Sequence, residues 1–340
     1  MNTERLLLGP NEYEKSIARA AELLKDGGVV AVPTETVYGL AASAYCEDAV
    51  KKVFDAKGRP QDNPLIVHIA DMDMFFEIAE DIPENALICA KKFWPGPFTM
   101  VLKRTDKIPP SVSAGLDTVA VRMPSDPVCR DIIRKSGIPL AAPSANLSGK
   151  PSPTEASHVL CDLDGKIDAV VISGSCDVGV ESTVVAFTGN TPSLLRPGGV
   201  TLEQLREILP DITVDSAVLS EPEKGAKVAS PGMKYKHYAP KAETYLVEAD
   251  GEKYAEYVNG INNGIAICFS EEEDAVTTKK IVYGSRQNEA TLAHSVFDAL
   301  READALGAET VYVHAPSKTG VGLAVYNRLI RAAAFRVIKL

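Results

Sequence analysis

The sequence predicts an α/β protein in two parts: a twisted mixed sheet with helices, then a linker and a smaller Rossmann-like layer of parallel strands. Three observations predict it. Short runs rich in Val, Ile and Ala alternate with stretches of helical periodicity through the first two-thirds of the chain. Between Pro210 and Pro240 that periodicity stops and Pro210, Pro222, Pro231 and Pro240 punctuate a charged stretch. From Ala242 strand and helix patterns alternate again. The expected limits are 1–209 for the first domain, 210–241 for the linker and 242–340 for the second domain.

Taken in order, strands are expected at Gly28–Pro33, Pro64–Ile69, Phe98–Leu102, Thr118–Arg122, Pro139–Ala142, Ala169–Ile172 and Ser182–Phe187. Helices are expected at Tyr13–Lys25, Glu47–Ala56, Glu84–Phe93, Pro127–Ser136 and Leu202–Leu209. In the second of these, Ala49, Val53 and Ala56 form a small apolar stripe that suits packing on a sheet. The linker ends in Ser230–Pro240, denser in aromatic and basic groups than a tether requires, so it reads either as a docked functional segment or as a solvated spacer. The second domain reads as strand Thr244–Val247, helix Glu252–Ile261, strands Ile265–Phe269 and Lys280–Tyr283, helix Glu289–Leu306, strand Thr310–His314 and helix Leu323–Phe335.

Composition narrows the function. The chain has 340 residues, 45% of them hydrophobic and 24% charged, which excludes disorder, collagen and coiled coil. Its net charge of −10 argues against a main task of gripping long nucleic acid. Six separated cysteines with no CxxC fit a reducing compartment. The first fifteen residues lack the basic start and apolar middle of a signal peptide, and no apolar run nears 18 residues, so a cytoplasmic protein without a membrane partner is expected.

Several nucleotide and hydrolase motifs are missing: GxxxxGK(S/T), GxGxxG after a strand, GxSxG and HExxH. Gly320-Val321-Gly322 lacks the third glycine of a dinucleotide loop, and the five histidines show no metal-ligand spacing. What stands out is a set of cationic and hydroxyl side chains at strand ends. Thr34 and Thr36 follow a buried strand and either point the same way or cap a turn. Lys57-Gly58-Arg59-Pro60 ends a helix, with Gly58 read as a place of close backbone approach. Arg122 and Arg196 end apolar strands beside Ser144-Ala145-Asn146 and Glu181-Ser182-Thr183, where they pair either with structural carboxylates or with a bound anion. Lys, several Arg, Ser, Thr and Asn without an evident nucleophile suit phosphoryl or nucleotidyl transfer by positioning and charge neutralisation.

The stretch Gly27–Gly199 resembles the YrdC-type threonylcarbamoyl-AMP synthase family, carried by Pro33–Leu40, Lys57-Gly58-Arg59-Pro60, Asn63-Pro64-Leu65, Ser144-Ala145-Asn146 and Ser182-Thr183; the linker and C-terminal layer resemble its longer two-domain form. The resemblance implies a YrdC-like sheet and a reaction of L-threonine, bicarbonate or CO2, and ATP that yields threonylcarbamoyl-AMP and pyrophosphate. The product would feed a separate tRNA threonylcarbamoyl transferase complex acting beside the anticodon. It also implies that Thr36, His68, Arg122, the Ala142 backbone and Ser182 hold threonine. Lys57, Arg59, Asn63, Thr118, Ser144, Asn146, Ser152 and Arg196 would hold ATP, with Lys57 and Arg59 facing the phosphates and Tyr235 closing over the nucleotide. The tetrad Lys57, Arg59, Ser144 and Asn146 would be catalytic, and Mg2+ would arrive on the ATP phosphates. His68 is either a base or a threonine-orienting group. An RNA-binding module and a carbamoyl transferase of hydrogenase maturation are the competing readings; strong direct tRNA binding is not expected.

Overall fold

The computed structural model describes residues 2–221 and 238–340. In the first domain, twelve strands among the described residues form one mixed sheet, with Glu4–Leu7 at one edge and Thr213–Val214 at the other. At its centre Ile66–His68 runs parallel to Thr118–Arg122, which pairs antiparallel with Phe98–Arg104; that strand in turn runs parallel to Thr183–Ala186. Register puts His68 opposite Arg122, and Arg122 opposite Thr99. Because alternate residues share a face, Thr118, Ala120 and Arg122 lie on one side of the sheet and Val119 and Val121 on the other. Val119 and Val121 join Phe98, Met100, Leu102 and Trp94 in the main core. Ala120 lies instead in a small apolar cluster with Ile66, Val101, Val184 and Leu195 on the opposite face.

The second domain is a five-stranded, wholly parallel sheet in the order Lys280–Val282, Ile265–Cys268, Thr310–His314, Glu243–Glu248, Val337–Lys339. Its final strand and the first-domain strands Glu4–Leu7 and Gly39–Ser43 were not expected. Gly39-Leu-Ala-Ala-Ser has no β-branched residue, and its extended form comes from antiparallel pairing with Val30–Val32 and Leu140–Ala141. The last helix begins at Gly320, not Leu323, and the Gly322 N–H donates to Glu289 Oε2 at 2.9 Å. The expected linker also starts later than Pro210. Thr213–Val214 pairs with Ser193–Arg196, and Leu209 and Ile212 are buried in the main core, so the first fold continues into the stretch read as a tether. At the far end Tyr238 and Ala242 belong to the second domain's core, which also takes in Val37 and Val180 of the first.

Candidate active site

The helix Glu47–Lys57 stops at Gly58, whose φ of 60° is left-handed. A Cβ there would meet nothing within 4 Å, so Gly58 is needed for its backbone angle and not for the close approach expected of it. The stop sends neighbouring cations to different places. Arg59 lines a cavity in the first domain, which Tyr238 also borders, its Nη2 donating to the Asn63 and Pro64 carbonyls at 3.4 and 3.3 Å. Lys57, 2% exposed, donates from Nζ to the carbonyl oxygens of Ser144 and Asn146, the latter at 2.5 Å. Lys57 therefore does not line the cavity as expected; it fastens the Ser144–Asn146 loop from beneath. Burial, reinforced by Arg59, holds the Lys57 ammonium well below its usual pKa, and burial brings Arg59 to about 10.

After the strand Val30–Val32 the chain turns, and the turn brings Thr34 and Thr36 together with their Oγ1 atoms 2.8 Å apart. Thr36 Oγ1 accepts from Arg122 Nη1 at 2.7 Å. Arg122 also donates to the Gly96 carbonyl at 3.3 Å and meets buried Glu35 at 2.8 Å. Burial pushes the Glu35 carboxyl up, but the charge and hydrogen bond of Arg122 outweigh it and hold Glu35 below the ordinary carboxylate value. His68, opposite Arg122, is lowered to about 3 by burial and then by the Arg122 charge, so its imidazole is neutral at neutral pH, and its buried Nδ1 has no hydrogen-bond partner among the described residues.

On the far wall Ser182 Oγ lies 2.7 Å from Thr99 Oγ1, and Arg196 donates to the Ser182 carbonyl at 3.1 Å and to its Oγ at 3.2 Å. Gly198 permits this closeness: a Cβ on it would come within 2.3 Å of the Thr183 nitrogen and 2.4 Å of the Glu181 carbonyl oxygen. Glu181 accepts from Ser152 Oγ at 2.5 Å and from Arg328 Nε at 2.8 Å.

All five expected threonine contacts, Thr36, His68, Arg122, Ala142 and Ser182, line this one cavity, as do Arg59, Ser144 and Arg196 of the ATP set. Asn63, Asn146 and Ser152 are buried beside the lining, the first two with an Oδ1 that has no hydrogen-bond partner among the described residues. Thr118 is on the Arg122 face but about 13 Å along the strand, at roughly 3.3 Å per residue. Tyr235 lies outside the described residues. Among the polar lining residues, Thr34 was singled out in the sequence but given no ligand, and Glu181 and Tyr238 were given no role. The first two sat inside quoted motifs. Tyr238 was in the aromatic and basic run, three places from the tyrosine chosen. Among the described residues no three His, Cys, Asp or Glu side chains gather as a metal site, and no helix is long and apolar enough to cross a membrane.

Two family models match the chain. One, described as "Telomere recombination", covers residues 22–198; the other, "Threonylcarbamoyl-AMP synthase, C-terminal domain", covers residues 200–334. The threonylcarbamoyl-AMP synthase of Bacillus subtilis is 46% identical over 332 residues, 96% of this chain and 95% of its own. That of Pyrococcus abyssi is 44% identical over 337 residues and 96% of each chain. The crystal structure of P. abyssi Sua5 complexed with L-threonine is 40% identical, with a TM-score of 0.90 over 100% of both chains.

Proposed function

The chain belongs to the threonylcarbamoyl-AMP synthases that join a YrdC-type domain to a Sua5 C-terminal domain, and from that membership we propose how its cavity works. The reaction takes L-threonine, bicarbonate or CO2, and ATP to threonylcarbamoyl-AMP and pyrophosphate, for threonylcarbamoyladenosine in tRNAs reading codons that begin with A. One observation carries the assignment of the site: Thr36, His68, Arg122 and Ser182 face the same cavity as Arg59, Ser144 and Arg196. That is a carboxylate clamp next to a phosphate clamp.

Arginine has five N–H donors, and the contacts of Arg122 to Thr36, Glu35 and Gly96 leave donors over for the threonine carboxylate. Neutral His68 and the Ser182 hydroxyl orient the amino and hydroxyl groups. A pKa of about 3 makes His68 a poor base at neutral pH, so orientation is its role. The threonine amine, its protons passing to solvent, adds to CO2, and the carbamate oxygen bonds to the α-phosphorus in line as the bond from that phosphorus to the pyrophosphate oxygen breaks and pyrophosphate leaves, a nucleotidyl transfer. Arg59 and Arg196 neutralise phosphate charge, with Ser144 and Asn146 held in place by Lys57. Mg2+ enters with ATP, bound by its phosphates. Ile66, from the small apolar cluster on the Arg122 face, lines the cavity and offers the nucleoside an apolar contact, with Asn63 and Ser152 buried beside the cavity. The product passes to a tRNA threonylcarbamoyl transferase complex in the cytoplasm, without strong tRNA binding by this chain.

The experiment is mass detection of the acyl-adenylate when the purified protein meets ATP, Mg2+, bicarbonate and single amino acids without RNA. Threonylcarbamoyl-AMP from L-threonine alone is expected. No adenylate, or formation only when RNA is present, would favour the RNA-binding reading.

A further inference from the structure

The helix Gly320–Ala332 is buried along its length from Gly322 to Ala332, including Asn327, Arg328 and Arg331. Arg328 is fully buried, a location unfavourable for a guanidinium unless its donors are met. They are met mainly from the other domain, with two contacts inside the arginine's own helix, Nη1 donating to Asn327 Oδ1 at 3.0 Å and to the Ala324 carbonyl at 3.4 Å. Nε donates to Glu181 Oε2 at 2.8 Å, Nη2 to the Glu181 carbonyl at 3.2 Å and Nη1 to the Pro197 carbonyl at 2.8 Å. The guanidinium also lies over the ring of Tyr238, 5.7 Å from its centroid, and Tyr238 lines the cavity.

The two loops that Arg328 grips are those that carry Ser182 and Arg196. Glu181 immediately precedes Ser182, and Pro197 immediately follows Arg196. The loops already touch each other through the Arg196 contacts to Ser182 and the close packing of Gly198 on Thr183. Ser152, on a third loop, is tied to the same Glu181 carboxylate. One side chain from the second domain thus closes a network through which the threonine and nucleotide walls share a single geometry. We infer that Arg328 is a positioning residue for the reaction: acting across the domain boundary through Glu181 and Pro197, it fixes where Ser182 and Arg196 meet the substrates.

This rests on the assignment of the cavity above, and the test separates the two. Steady-state kcat and KM for threonine and ATP, calorimetric threonine binding and thermal melts are measured on the full-length wild type, Arg328→Met, Arg328→Lys and Asp298→Ala. Asp298 bridges the same two domains away from the cavity, accepting from Thr154 Oγ1 and lying 3.7 Å from His158 Nδ1. Arg328→Met is expected to lose roughly 10- to 100-fold in kcat/KM and to bind threonine more weakly, as a small misplacement of binding groups does. Arg328→Lys, which can meet Glu181 but cannot reproduce the planar fork, recovers part of the loss. Asp298→Ala melts earlier with unchanged kinetics. Wild-type kcat and KM in a folded Arg328→Met overturns the inference, as does an equal kinetic loss in Asp298→Ala. Should Arg328→Met fail to fold, Glu181→Gln decides: a raised KM for threonine supports the inference and wild-type kinetics overturns it. A wild type that makes no threonylcarbamoyl-AMP sinks the assignment of the cavity, and the inference with it.

Discussion

Arg59 and Lys57 stand two residues apart, yet Gly58 gives them different tasks, and their substitutions should part accordingly. Arg59→Ala removes a cation that lines the cavity, so turnover falls by orders of magnitude while the melting temperature stays near that of the wild type. Lys57→Ala also strips a donor from the buried Ser144 and Asn146 carbonyls, at about 1–3 kcal/mol for each group left unsatisfied, and should lower both turnover and the melting temperature. Normal turnover in both would contradict the phosphate assignment. His68 gives a pH test. Its pKa is about 3 in the folded protein against 6.5 for the free side chain, so below about pH 6.5 the unfolded chain takes up a proton that the native chain refuses. Stability is therefore lost as pH falls, by about 1.4 kcal/mol per pH unit from this group. Denaturant melts of wild type and His68→Gln between about pH 4 and 5.5, where the unfolded histidine is almost fully protonated, should differ in slope by about that amount; parallel slopes would show that His68 titrates normally.

At the scale of elements, the cavity is made where strands end and loops approach each other closely. Gly198 is the tightest of these approaches, and Gly198→Ala would drive a methyl group into the backbone of Glu181 and Thr183. A loss of more than about 3 kcal/mol in stability, or misfolding, is expected from such overpacking; a variant that melts like the wild type and keeps its activity would show that the two loops can separate without cost. Much of this level was legible in the sequence. Lys57-Gly58-Arg59 announces a helix stop, and the Val-rich runs mark the central strands. Gly39–Ser43 was not legible, because small residues carry no strand signal and its pairing partners are remote in the chain. The pairing of Glu181 with Arg328, 147 residues apart, left no local trace either. Glutamate before a serine and arginine in a helix are each ordinary, and only the packing of two domains makes them one feature.

At the scale of the molecule, the second domain shares a core with the first through Val37 and Val180, and its Arg331 and Asn327 donate to the Ala217 and Val218 carbonyls, both at 2.6 Å. Ending the chain at Glu221 would expose those valines and leave Glu181 as a buried anion without Arg328. Such a truncation should melt earlier and lose most of its turnover. A fully active fragment would make the second domain a passenger.

The cavity is expected to hold a threonine-derived carbamate within reach of the ATP α-phosphorus. The direct measurement is a crystal structure of the full chain with L-threonine, Mg2+ and a non-hydrolysable ATP analogue. The threonine carboxylate is expected on Arg122, its amino group beside His68, and the phosphates against Arg59 and Arg196. Threonine and nucleotide in separate cavities, or an Arg122 that still meets only Glu35, Thr36 and the Gly96 carbonyl with both ligands bound, would contradict that placement.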